Sequence, residues 1–210
     1  MIEAPNFADL DWLTHGFGLR DSVYPPGITV TKQTHSAIVL DAAGRRGEII
    51  GEGDAIISNQ PGVAIGIRTA DCVPILLVDV ANRTIASIHA GWRGTVRGIA
   101  RATILELERR MGVEARDLRA AIGPSIGVCC YEVGPDVAQQ FNMDVNGRVH
   151  LDLAALNEQQ LREAGVRDIW KSGECTFCGA GRFYSYRREG NQAGRMVSYI
   201  GLQNTSGGPR

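Results

Sequence analysis

The sequence predicts an α+β fold with mixed β-sheets, and three observations carry that prediction. About ten short β-branched or alternating runs stand beside only two or three stretches of helical period. Strands and helices do not alternate strictly, which argues against a doubly wound parallel sheet. The run Val73-Pro74-Ile75-Leu76-Leu77-Val78 is apolar at every position, which suits a strand covered on both faces. No repeat, low-complexity segment or linker divides the chain. Residues 1–210 therefore read as a single domain, with ample length for a sizeable core.

Residues 1–27, with Pro5, Pro25 and Pro26, begin irregularly and hold one short strand near residues 13–17. Ile28, Val30 and the run Ile38-Val39-Leu40 predict two strands around Lys32-Gln33-Thr34-His35-Ser36. Residues 55–58 and 63–67 follow as short strands, separated by the Pro61-Gly62 turn. The apolar run at 73–80 turns at Asn82-Arg83 into a strand, residues 84–88, that ends at His89. A helix is expected from Thr95, as N-cap, to Gly112, as its stop. Val96, Ile99, Ala100, Ile104, Leu107 and Met111 would share its buried face. Residues 118–122 form a strand halted by Gly123-Pro124, and 125–133 a loop or short strand. Pro135 suits the first position of a short helix reaching Phe141. Asp152 caps another helix that runs to Gly165. Residues 166–170, 182–186 and 196–202 predict the last strands. The tail at 203–210 is polar and glycine-rich, and is expected to be mobile.

Charged residues make up 21% of the chain and the formal net charge is −1, so no global field draws in nucleic acid or an anionic membrane. Met1–Pro5 shows no signal-peptide pattern, and no apolar run reaches membrane-spanning length. A cytoplasmic protein is expected. In that compartment Cys72, Cys129, Cys130, Cys175 and Cys178 point to metal binding or thiol chemistry over a disulfide framework.

Chemistry concentrates at His89-Ala90-Gly91-Trp92-Arg93-Gly94. A strand that ends in a glycine-rich turn and feeds a helix aims backbone N–H groups at one spot, which suits an anion. A tight connection with a surface arginine and a capped histidine reads the same residues. His35 and Cys72 also fall at strand ends. Two imidazoles and a thiolate suit Zn²⁺, and three protein ligands leave a fourth position for water or substrate. The trio matches no local zinc motif, however, and each member also fits a plain structural role. Among the nearby carboxylates Glu52, Asp54 and Asp71, the last adjoins Cys72. Asp71 is the candidate to orient a ligand or transfer a proton, with a turn-forming role as the competing reading. Cys175-x-x-Cys178 looks like half of a four-cysteine site or a redox pair. Cys129-Cys130 has the wrong spacing for the other half and no thioredoxin-like context surrounds the motif, so structural or incidental thiols are expected.

Taken in order, the chain carries Lys32-Gln33-Thr34-His35-Ser36, Thr69-Ala70-Asp71-Cys72-Val73-Pro74 and His89-Ala90-Gly91-Trp92-Arg93-Gly94. After these come Ile122-Gly123-Pro124, Cys130-Tyr131-Glu132-Val133-Gly134 and Cys175-Thr176-x-Cys178, then Phe183-Tyr184-Ser185-Tyr186-Arg187. Over roughly residues 12–202 this resembles the family named variously for multicopper polyphenol oxidase (laccase domain), purine nucleoside phosphorylase and peptidoglycan editing factor. The resemblance implies a layered sandwich of mixed β-sheets flanked by helices, distantly similar to deamidating toxins that use a Cys-His pair. It places the family's metal site on His35, Cys72 and His89. It also implies a zinc-dependent phosphorylase for adenosine, inosine, guanosine and methylthioadenosine, with some adenosine deaminase activity. Where the family often has Cys after Gly-Pro, this chain has Ser125, which is not a proposed ligand.

On this reading Zn²⁺ is the cofactor, and a purine nucleoside and phosphate are the substrates. Asp71, Cys72 and Arg93 are the expected catalytic residues, and Gln33, Arg93 and Gly94 the expected substrate contacts. A competing reading makes Cys72 the nucleophile of a hydrolase, with His89 or His35 as base, that edits mis-incorporated amino acids in peptidoglycan precursors. A copper oxidase with blue and multicopper centres needs more histidines than the four present. A non-catalytic zinc-dependent binding protein is the remaining alternative, for which an open three-ligand site is more than a scaffold needs. The sequence assigns no oligomeric state.

Overall fold

A computed structural model describes residues 1–204, so the expectation for the tail falls mostly outside the described residues. In chain order the strands and helices begin with β1 (Leu13–Phe17), β2 (Ile28–Lys32), β3 (Val39–Asp41), β4 (Ile49–Glu52) and β5 (Ala55–Ser58). They continue with β6 (Ala64–Thr69), β7 (Val73–Asp79), β8 (Thr84–Ala90), α1 (Trp92–Val96), α2 (Ile99–Met111) and β9 (Leu118–Ile122). The remainder are β10 (Glu132–Val133), α3 (Pro135–Gln139), β11 (Val149–His150), α4 (Leu153–Glu163), β12 (Asp168–Lys171), α5 (Tyr186–Glu189) and β13 (Met196–Leu202). No described helix is long and apolar enough to cross a membrane.

Two large mixed sheets carry the fold. One has the order β12-β9-β7-β8-β5-β3 and the other β1-β13-β6-β2-β4, while β10 and β11 pair separately. Successive side chains of a strand point to opposite faces, and this parity divides the core in two. Ile75, Leu77, Ala86 and Ile88 point from the six-stranded sheet toward Ile99, Ile104 and Leu107 of α2 and Leu161 of α4. Ile56, Leu76, Val78 and Ile85 point the other way, onto Phe17, Ile65, Ile200 and Leu202. The result is three layers, sheet on sheet on helices, as expected. It explains why all seven residues of β7 are buried. Each fully buried aliphatic side chain there contributes about 1.5–3 kcal/mol.

The helix after His89 is not one continuous rod. It starts at Trp92, stops at Val96, and resumes at Ile99 after Gly98 adopts a left-handed φ of 71°. Thr95 is therefore no N-cap. Buried inside α1, its hydroxyl donates to the Gly91 carbonyl and accepts from Asn157 Nδ2 at 2.9 Å, while Gln160 of α4 donates to its carbonyl. Val96 falls outside the buried face, at 37% exposure, because the break turns α1 away from the stripe that α2 continues. Gly112 ends α2 in the left-handed conformation, and Asp152 caps α4 through the Ala155 amide, both as predicted. The strand expected at 182–186 is absent. Arg182 and Phe183 close a turn on the Gly179 carbonyl, and Ser185 caps α5 by accepting from the Arg188 amide. Side-chain capping outcompetes the aromatic, β-prone composition of this segment.

Candidate metal centre

Register brings the site together. In the β5–β8 pair Ala55 faces Ile88, so the next residues, Asp54 and His89, are neighbours, and the His89 amide donates to the Asp54 carbonyl at 2.7 Å. In the β7–β8 pair Pro74 faces His89, so Cys72 lies two residues further along on the same face. Asp54, Cys72 and His89 thus share the parity of Ile56, Leu76 and Ile85, the side that meets the second sheet. His35 arrives from that second sheet, on the loop after β2. The ligand atoms of His35, Cys72 and His89 all lie within 4.8 Å of one another. Bonds of about 2.0–2.3 Å around a tetrahedral zinc separate ligand atoms by about 3.3–3.8 Å, so small side-chain adjustments complete the shell. Gly91 supplies the floor: a Cβ there would lie 2.9 Å from His35 Nδ1 and 3.0 Å from Cys72 Sγ. The donors converge over a glycine because no other residue leaves them room. This convergence of two imidazoles and a thiolate fits a metal ion.

Asp54 organises the centre. Its carboxylate, completely buried, accepts from the amides of Thr34, His35 and Ser36 at 3.1, 3.0 and 2.6 Å and from the Ser36 hydroxyl at 2.7 Å. His89 Nδ1 donates to the same carboxylate at 2.8 Å, which leaves Nε2 for a metal. One side chain therefore orients both histidines, one through its ring and the other through its backbone. Those three amides hold His35 in the left-handed region at φ 58°. Burial disfavours the charge of Asp54, yet the hydrogen bonds from His89 and Ser36 hold its carboxyl well below the usual carboxylate range. Burial likewise disfavours the His89 imidazolium, but the charge of Cys72 and the bond to Asp54 carry its pKa up to about 9. His35 moves the other way. Burial and the neighbouring His89 lower its pKa, which favours the neutral, ligating ring.

Asp71, which adjoins Cys72 in sequence, is placed differently. Its left-handed φ of 86° sends the carboxylate to Thr176 Oγ1 at 2.6 Å, Ser185 Oγ at 3.0 Å and the Arg187 amide at 2.7 Å. It ties the Cys72 turn to the 176–187 segment. Gln33 spends its side-chain amide on the backbone of Arg68, donating to the carbonyl and accepting from the N–H, both at 2.8 Å. Gly94 is buried in α1, where a Cβ would approach the Ser36 carbonyl to 3.3 Å, so it lets the His35 loop pack on the turn. The helix begins at Trp92 rather than after Gly94, so its N-terminus follows Gly91. Arg93 is exposed beside the centre, with its guanidinium 4.2 Å from the Trp92 ring centroid. Two residues without an assigned role in the sequence reading also belong here. Tyr131 is buried with its pKa pushed up to about 12, by desolvation first and then by the charge of Cys72. The Arg187 guanidinium lies 5.3 Å from the Tyr131 ring centroid. Among the described residues His15 and His150 are not in the trio; His15 Nε2 accepts from the Ala4 amide, and His150 lies in β11.

Known proteins share this arrangement of chain. A Deinococcus radiodurans protein named purine nucleoside phosphorylase is 44% identical over 164 residues, which are 74% of this chain and 64% of that protein. The chain thus spans less than two thirds of that relative's length. A protein of an unknown prokaryotic organism, named adenosine deaminase RL5, is 39% identical over 208 residues, covering 88% of this chain and 76% of the relative. The crystal structure of YlmD from Geobacillus stearothermophilus superposes with a TM-score of 0.84 at 27% identity, over 96% of this chain and 94% of that one. A profile of the multi-copper polyphenol oxidoreductase laccase family matches residues 19–203, and the chain belongs to that family.

Proposed function

We propose that this protein is a zinc-dependent purine nucleoside phosphorylase acting on adenosine, inosine, guanosine and methylthioadenosine, with adenosine deamination as a side activity. The observation that carries the proposal is the convergence of His35, Cys72 and His89 over Gly91, beside the exposed cation Arg93. The names of the relatives supply the substrate class. A bound Zn²⁺ supplies Lewis acidity toward phosphate or, in deamination, toward water.

The chain's own residues do the rest. Arg93, and Arg187 across the Tyr131 ring, hold the phosphate anion beside C1′. A phosphate oxygen bonds C1′ as the C1′–N9 bond breaks, and the departing purine needs a proton or a hydrogen-bond donor. Tyr131, which burial keeps protonated at neutral pH, is the donor we assign. Asp71, with three donors on its carboxylate, holds Cys72 in place. Gln33 and Gly94 shape the rim through backbone contacts.

The order Cys72, His89, Asp54 also resembles the triad of a thiol hydrolase. The arrival of His35 at the same point favours a metal, since a thiol triad has no use for a second imidazole there. The test is turnover of inosine with phosphate, and of adenosine without it, by purified protein before and after chelation. Loss of both activities on stripping and return with zinc are expected. Full activity in metal-stripped protein overturns the proposal.

A further inference from the structure

The second cluster of soft ligands lies outside this centre. Cys129 and Cys130 sit on a turn in which the Cys130 and Tyr131 amides both donate to the Gly127 carbonyl at 2.9 Å. Cys175 and Cys178 sit on a second turn, closed by the Gly179 amide on the Cys175 carbonyl at 3.0 Å. All four sulfurs lie within 4.8 Å of one another, with Cys130 and Cys129 at 3.4 and 3.7 Å from Cys178. Four thiolates at about 2.3 Å from a tetrahedral zinc lie about 3.8 Å apart. The tight turn at Gly127 is how two adjacent cysteines reach one point despite a spacing that local zinc motifs do not use.

We propose that Cys129, Cys130, Cys175 and Cys178 form a second metal site, a closed tetrathiolate that holds a structural Zn²⁺. Three further features show a built site. The Gly127 amide donates to Cys175 Sγ at 3.2 Å, and a Cβ on Gly127 would press on Cys175 Cβ at 3.2 Å and Cys129 Sγ at 3.3 Å. Ser125 and Cys175 pair as a parallel bridge that holds the two loops side by side. Arg188 donates to the Thr176 and Phe177 carbonyls, fixing the turn between the other two ligands. Cys129 and Cys178 are exposed, so without a metal they would be open to oxidation. Four thiolates leave no open position, which makes the site structural rather than catalytic.

Its location gives it a task. The Ile126 amide donates to the Asp71 carbonyl at 2.9 Å, and the Thr176 hydroxyl to the Asp71 carboxylate. Both cysteine loops therefore grip the residue that precedes Cys72. A metal that clamps the loops together also positions the ligand of the first centre.

The test is metal content and coordination in the full chain. The wild type should carry two zinc ions, and the His35→Ala variant one. X-ray absorption of the zinc left in His35→Ala should show four sulfur neighbours at about 2.3 Å. Cys129→Ser with Cys178→Ser should lose this zinc, retain the other, and expose new sites to limited proteolysis in the 125–131 and 174–188 segments. Should that pair misfold, the X-ray absorption of His35→Ala decides the matter with every cysteine intact. A folded His35→Ala protein with no zinc, with iron in its place, or with these cysteines as free thiols or disulfides overturns the proposal.

Discussion

Replacing Asp54 by Asn tests how the metal centre is held. The carboxylate accepts from three backbone amides, the Ser36 hydroxyl and His89 Nδ1. Asparagine keeps the shape, removes the charge, and puts an NH₂ where one acceptor oxygen stood. The donors then compete for a single carbonyl oxygen, and those left over cost about 1–3 kcal/mol each if they stay dry. The His35 loop, being exposed, can relax into water, so the fold survives while the ligands lose their aim. Loss of such a supporting partner lowers metal affinity about 10- to 100-fold, or about 1.4–2.7 kcal/mol. The assay is competition for zinc with a chromophoric chelator, beside circular dichroism to confirm folding. Asp71→Asn serves as the contrast, because no metal ligand is among its carboxylate's partners, and it should weaken zinc binding less. A folded Asp54→Asn protein with wild-type zinc affinity would show that Asp54 does not aim the histidines.

Three further substitutions probe the floor, the cation and the scaffold. Gly91→Ala places a methyl group against His35 Nδ1 and Cys72 Sγ, so zinc stoichiometry at this centre should fall while circular dichroism is unchanged. Arg93→Ala should lower kcat/KM for phosphate about 10- to 100-fold, with a smaller effect on the KM for nucleoside in steady-state assays. Asn157→Ala removes the buried donor to Thr95 Oγ1 and the Leu153 carbonyl. It should cost about 1–3 kcal/mol, read as a fall in Tm of roughly 2–4 °C per kcal/mol. An unchanged Tm would mean that α4 does not anchor the turn at Gly91.

The layers were legible because period-two burial leaves its mark on composition: an apolar run such as Val73–Val78 has to be covered on both sides. The trio of candidate ligands was legible too, since His35, Cys72 and His89 are rare residue types at strand ends, and the structure brings them together. Their supporting carboxylate was not. Proximity in sequence favoured Asp71, but a left-handed backbone turns that side chain away, while the β5–β8 register delivers Asp54 from a distance of 35 residues. Strand register sits in long-range pairing, which local pattern does not encode. The same holds for Tyr131 and for the four clustered cysteines, which depend on the packing of two loops 48 residues apart. The break at Gly98 had a local signal, a glycine inside a helical period, which the continuous apolar stripe outweighed.

On the proposed function, His35, Cys72 and His89 hold a metal ion on which nucleoside phosphorolysis depends. The most direct measurement is ribose 1-phosphate formation from inosine by one preparation, assayed as purified, after metal stripping and after zinc is restored, each with and without phosphate. Product is expected only when zinc and phosphate are both present, and none at any stage from His89→Ala. Undiminished product from the stripped protein would contradict it.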